Sequence, residues 1–244
     1  MIVAICTGRK GSKGFPKKNL FKVFEQPLAY YPMRAAIDTP EVDKVYMSTD
    51  DEELMDLAKK NDVEVIKRDA YLCTDKALSN DVFKHAYEVV KKDLEVELLV
   101  LLMCNAPTIT PVLISEGIKI LKENEEIDSA VSVSKYNMWA PPRARKIDKD
   151  GLLKPYVPFE RYESGSEITS DRGSMEDAWF ADMGVSIVKP RCLEKLDEGL
   201  PPQKWMGKKI YPLKQWGGLD VDYEWQIPSA EYWIKKHGRD TDSS

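Results

Sequence analysis

Leu98, Leu99, Val100, Leu101, Leu102 and Met103 follow one another without a polar residue. A run of this length is a strand, and with no polar face it must be covered on both sides. Such strands belong to parallel sheets sandwiched between helices. The rest of the chain alternates accordingly. Residues 1–6 read as a second apolar strand, 27–37 as a helix, 44–48 as a strand, 51–60 as a helix with acidic residues in its first turn, and 63–66 as a strand. Residues 80–92 read as a helix, 111–124 as a helix opened by Pro111, and 129–134 as a strand. After a break, residues 182–188 and 209–213 read as strands, 191–196 and 223–237 as helices, and 238–244 as a frayed tail. The expected fold is α/β, a mostly parallel, doubly wound sheet in one domain spanning residues 1–244.

The break covers residues 137–177. It carries four prolines and the aromatics Trp139, Tyr156, Phe159 and Tyr162, with no sustained period. A segment this long without regular elements is expected to be an inserted arm that forms an interface.

The chain has 36 basic and 41 acidic side chains, a net charge of -5, which argues against general affinity for nucleic acid or anionic membranes. No apolar run reaches spanning length, and residues 1–20 lack a secretory leader pattern. Cys6, Cys73, Cys104 and Cys192 are scattered, as reduced thiols are in a cytoplasmic protein. The partner expected is a small molecule.

Ligands of open parallel sheets gather at the carboxyl ends of the strands. The first strand runs straight into Gly8, Arg9, Gly11, Ser12, Lys13, Gly14 and Lys18. Glycines let backbone N–H groups converge, and cationic side chains around them complete an anion site, so this loop reads as a cradle for a triphosphate. It is neither a P-loop nor a dinucleotide fingerprint, because the glycines stand at 8, 11 and 14. After the second strand come Ser48, Thr49, Asp50 and Asp51, which read first as a helix cap. Near the C-terminus stands Asp220-Val221-Asp222. Two carboxylates one residue apart on extended chain project to one side, about 6–7 Å apart at their Cα atoms, which suits Mg2+ with phosphate oxygens completing its shell.

The order Arg9-x-Gly11-Ser12-Lys13-Gly14-x-Pro16-x-Lys18-Asn19 resembles the opening motif of the acylneuraminate cytidylyltransferase family, whose members transfer CMP from CTP to an acidic sugar. The resemblance implies a nucleotide-diphospho-sugar transferase-like fold and a homodimer built through the inserted arm, whose Arg143, Arg145, Arg161 or Arg172 would meet an acidic acceptor. Carried over position by position, it makes Asn19, Arg68, Ala77 and Ser79 the cytosine pocket. It makes Arg9, Lys13 and Lys18 the groups that stabilise charge on the phosphates, Asn105 and Asp182 acceptor contacts, and Asp220 and Asp222 the metal ligands. The sequence departs from the family where Met103 stands for a glutamine, Ile109 for an arginine and Asp182 for an asparagine. The expected acceptor is therefore an acidic sugar or related acid other than the common sialic acid. The alternatives are a glycosyltransferase of similar α/β architecture, whose Asp-x-Asp would hold a nucleotide sugar, and a nucleotidyltransferase for a phosphonate-like or sugar-phosphate acceptor.

Overall fold

A computed structural model describes residues 1–11, 14–74, 76–162, 169–171 and 174–238. Ser12, Lys13, Asp75, Arg172 and nearly all of the expected C-terminal tail lie outside them.

The centre is a seven-stranded sheet. In chain order its strands are β1 (Ile2–Thr7), β4 (Lys44–Thr49), β5 (Glu64–Lys67), β6 (Leu98–Met103), β7 (Ser129–Lys135), β10 (Trp179–Val188) and β11 (Ile210–Gln215). Two-residue strands β2 (Lys22–Val23) and β3 (Gln26–Pro27) form a hairpin after the first loop, and β8 (Arg145–Ile147) pairs with β9 (Leu153–Pro155) inside the arm. The spatial order is β11-β7-β10-β6-β1-β4-β5. All neighbours run parallel except β10, which is antiparallel to both β6 and β7. The six parallel strands therefore end on one edge.

Both faces are covered, as the apolar β6 requires. Helices α1 (Tyr30–Ile37), α2 (Glu52–Lys60) and α4 (Pro111–Glu123) bury Met33, Leu54 and Ile114 on one face with Ala4, Val100 and Ile187. On the other face α3 (Ser79–Val90) and α5 (Arg191–Glu194) bury Phe83, Tyr87 and Leu193 against Ile5, Leu99 and Leu101. A smaller core joins α6 (Ile227–His237) to the hairpin through Phe15, Val23, Leu28, Val221 and Ile227. That last core ties the two ends of the chain together beside the first loop.

The expected elements are present, with ends displaced by a few residues. Two differences matter. The closing helix starts at Ile227, preceded by a short 3-10 turn at Glu224–Gln226, because Tyr223 is itself extended, with φ -133° and ψ 150°. The arm is not devoid of regular structure: it contains the β8–β9 hairpin, and β10 begins at Trp179, three residues before the predicted strand.

Candidate active site

A cleft of about 420 Å³ lies at the carboxyl edge of the sheet, across the ends of β1, β5 and β6. It is lined from the first loop by Gly8, Arg9, Gly14, Lys18 and Asn19, and from the segment after β5 by Arg68, Ala77 and Ser79. Asn105 and Met103 line it from the end of β6, and Asp220 and Asp222 from the segment before α6. Residues from distant parts of the chain thus meet in one place. Thr7, Leu72, Val82 and Tyr223 complete the lining.

The first loop is fixed at several points. Gly8 has no room for a side chain, since a Cβ would stand 2.8 Å from Leu54 Cδ1 and 2.9 Å from Cys104 Sγ. Its N–H donates to the Ser48 carbonyl at 3.2 Å, and the Lys10 N–H donates to Asp50 Oδ1 at 2.9 Å. Gly11 has φ +80°, a conformation glycine adopts without a steric cost. Asn19 is buried and its Nδ2 donates to the Arg9 carbonyl at 3.4 Å. Ser48, Asp50 and Asp51 therefore share the work at the end of β4: Asp51 caps α2 by accepting from the Glu53 N–H at 3.0 Å, as predicted, while Ser48 and Asp50 hold the cleft's loops.

Arg68 is 7% exposed. Its Nε donates to Ser48 Oγ at 3.1 Å and its Nη2 to the Ser48 carbonyl at 2.8 Å, so the guanidinium plane is set before any ligand arrives. Burial pulls its pKa down from the usual arginine value. A planar, oriented cation at the cleft wall can stack on or hydrogen-bond a flat heterocycle.

Asp220 and Asp222 line the same cleft, Asp222 directly against the first loop. Burial first, and the neighbouring Asp222 second, raise the Asp220 pKa from the usual carboxylate value. Lys18 Nζ donates to Asp222 Oδ1. A partly desolvated carboxylate beside a second one is the electrostatic setting that a divalent cation relieves, so the pair fits Mg2+. Among the described residues no cluster of three or more His, Cys, Asp or Glu side chains could hold a metal, so the remaining ligands would be phosphate oxygens and water.

Two predicted positions fall elsewhere. Gly11 does not line the cleft and takes a positive φ. Ile109, which departs from the family's arginine, is buried in the core and does not line this cleft either. Asp182 is 5% exposed and sits beneath the cleft wall, with its oxygens occupied by donors from Ser132, Ser134, Gly184 and Gln215. Sequence reasoning did not single out Tyr223, although its place one residue after Asp222 was the available signal.

Residues 3–148 match the family model described as cytidylyltransferase. The chain is 32% identical over 136 residues to the N-acylneuraminate cytidylyltransferase of Escherichia coli O18:K1:H7, an alignment covering 56% of this chain and 32% of the relative. It is 26% identical to N-acylneuraminate cytidylyltransferase A of Danio rerio, over 97% of this chain and 51% of the relative. The chain thus spans about a third to a half of the length of these curated relatives. Its fold matches the solved structure of CMP:2-keto-3-deoxy-manno-octonic acid synthetase complexed with CTP, with a TM-score of 0.68 at 14% identity, covering 96% of this chain and 98% of that one. With a family match over more than half its length and the same fold around the cleft, the chain belongs to the cytidylyltransferase family.

Proposed function

We propose that the protein transfers CMP from CTP to an acidic sugar or a related acid, releasing pyrophosphate. The observation that carries this is the meeting of Arg9, Lys18, Asn19, Arg68, Asp220 and Asp222 in one cleft. A cationic loop, an oriented guanidinium and a carboxylate pair are the parts a nucleotidyl transfer needs.

In this scheme the triphosphate lies along the first loop. Arg9 and Lys18 meet its oxygens, with Lys13, Ser12 and the Gly14 N–H added from the same loop. The cytosine stands against Arg68, Asn19, Ala77 and Ser79, and Asn105 faces the acceptor. Asp220 and Asp222 would hold Mg2+, which when bound supplies charge neutralisation at the phosphates. The acceptor hydroxyl oxygen forms a bond to the α-phosphorus, the bond from that phosphorus to the β-bridging oxygen breaks, and the electron pair leaves with pyrophosphate. The hydroxyl proton passes to solvent. Lys18 holds Asp222 in the free enzyme; were Asp222 to bind a divalent cation, the Lys18 ammonium would be left for the phosphates.

The acceptor is read from what its wall lacks. Met103 lines the cleft where the family carries a glutamine, so this wall offers an apolar contact in place of a hydrogen bond. An acid bearing an apolar substituent there fits better than the common sialic acid.

We further propose a homodimer formed through residues 137–177. The arm leaves Met138, Trp139, Ile147, Leu153 and Tyr156 each more than 60% exposed, a row of large apolar side chains that a second copy would cover. No described helix is long and apolar enough to cross a membrane; the location proposed is the cytoplasm.

Incubating the protein with each of the four nucleoside triphosphates, Mg2+ and a panel of sugar acids, while following pyrophosphate, tests the assignment. Release with CTP that depends on one of the acids is expected. Release with ATP or GTP in preference to CTP, or none with any acid, overturns it.

A further inference from the structure

Asp182 enters the sheet interior through an irregularity in β10. The pairing of β10 with β7 shifts register between Ala181 and Ser186, and Met183 inside that stretch has φ +62°, a conformation that costs a non-glycine residue energy. Bulges re-aim side chains, and this one accompanies a carboxylate that is buried under the cleft wall with no cation beside it in the hydrogen-bond network.

The bonds lead in one direction. Ser134 Oγ donates to Asp182 Oδ2 at 2.6 Å, which commits its single proton, so its lone pairs accept the Gly218 N–H at 2.8 Å. Gln215 Nε2 donates to the same Oδ2 at 2.9 Å and to the Thr108 carbonyl at 3.1 Å. Gly218 lies so close that a Cβ would stand 2.4 Å from Asp182 Oδ2. Two residues further on is Asp220. The segment between is held by polar bonds and by packing: the Gly218 carbonyl accepts from Tyr136 Oη at 2.6 Å, Leu219 N–H donates to Thr108 Oγ1 at 2.8 Å, and the Leu219 side chain packs on the small core that contains Val221.

Building on the proposed reaction, we propose that Asp182 is a positioning residue: through Ser134 it fixes Gly218, and so sets where Asp220 presents its carboxylate to a divalent cation. What the site requires at 182 is an oxygen acceptor facing Ser134 and Gln215, and not a negative charge. An asparagine can keep its carbonyl oxygen on those two donors; it gives up the Gly184 N–H, and Ser132 Oγ then accepts from the amide and turns its proton to the Val185 carbonyl. The aspartate that stands where the family pattern has asparagine is then a neutral exchange beneath the wall, and acceptor choice is set elsewhere.

The test compares Asp182→Ala, Asp182→Asn, Ser134→Ala and Ser132→Ala, with Mn2+ binding followed by its free-ion spin-resonance signal and backbone amide exchange followed at Gly218 and Leu219. Asp182→Ala and Ser134→Ala are expected to weaken Mn2+ binding by about 10–100-fold, the range for partners that orient metal ligands, and to speed exchange at Gly218. Asp182→Asn should restore both to the wild-type level. Ser132→Ala bonds only the other oxygen, so it should lower the unfolding midpoint and leave both readouts unchanged. Wild-type Mn2+ binding and exchange in Ser134→Ala, or a loss in Asp182→Asn as large as in Asp182→Ala, overturns the proposal. The exchange comparison needs neither metal nor nucleotide, so it decides this inference even where the proposed reaction fails.

Discussion

Lys18 and Asp222, 204 positions apart in the chain, are joined by a hydrogen bond from Nζ to Oδ1 at the mouth of the cleft. The ammonium is largely covered and the carboxylate half exposed, at 15% and 55% of their side chains. Before ligand arrives each is the other's partner. Asp220→Asn and Asp222→Asn should each lower turnover on the order of 10²-fold, the loss expected when transition-state charge loses its stabiliser. Lys18→Met should lower turnover similarly while tightening binding of Mn2+ alone, because Asp222 no longer has a competing cation. Equal Mn2+ affinity in wild type and Lys18→Met would show that the ion pair does not oppose metal binding.

Arg68 owes its fixed plane to Ser48, which it meets through two nitrogens. Lysine cannot make both bonds. Arg68→Lys should weaken CTP binding by about 10–100-fold, the value of one to two charge-assisted hydrogen bonds, and reduce the preference for CTP over ATP. Calorimetric titration of both nucleotides is the check, and an unchanged CTP/ATP ratio would remove Arg68 from base recognition.

Legibility from sequence was uneven, for physical reasons. The apolar runs of β1 and β6 announce themselves because a strand covered on both faces has no polar positions. The rule that ligands collect at strand ends then brings Arg9, Arg68, Asn105 and Asp220 to one edge without further information. What local pattern does not carry is strand direction: β10 reads like its neighbours, and its antiparallel run follows from the path of the arm before it. The β8–β9 hairpin escapes because three residues per strand, mostly exposed, show no alternation. Asp182 misleads because its role is carried over from the family's asparagine, whereas its burial depends on Ser132, Ser134 and Gln215, which only the fold brings beside it.

Asp128 ties the far end of the sheet. Burial by itself would raise its pKa, but the N–H groups of Lys209 and Lys208 and the Arg191 guanidinium outweigh that and hold it below the usual carboxylate value. A carboxylate depressed in the folded state stabilises it above the unfolded pKa of about 3.9, and that contribution is lost as pH falls through the folded value. Asp128→Asn should therefore lower the denaturation midpoint at neutral pH, with the gap to wild type closing below about pH 4. A gap that persists unchanged into acid would mean that the charge is not what stabilises this corner.

Removing residues 137–177 and joining the ends with a short flexible linker should give a monomer that binds CTP through the first loop yet does not turn over acceptor. Light scattering and calorimetry on the same preparation report both properties. A full-length protein that is monomeric at micromolar concentration and active would set the arm's proposed role aside.

The transfer itself is tested most directly by following the α-phosphate. With CTP labelled at that phosphorus, Mg2+ and an accepted sugar acid, the label should appear in a CMP–acid conjugate, in step with unlabelled pyrophosphate. Label recovered as free CMP or CDP, with the acid unchanged, would contradict nucleotidyl transfer.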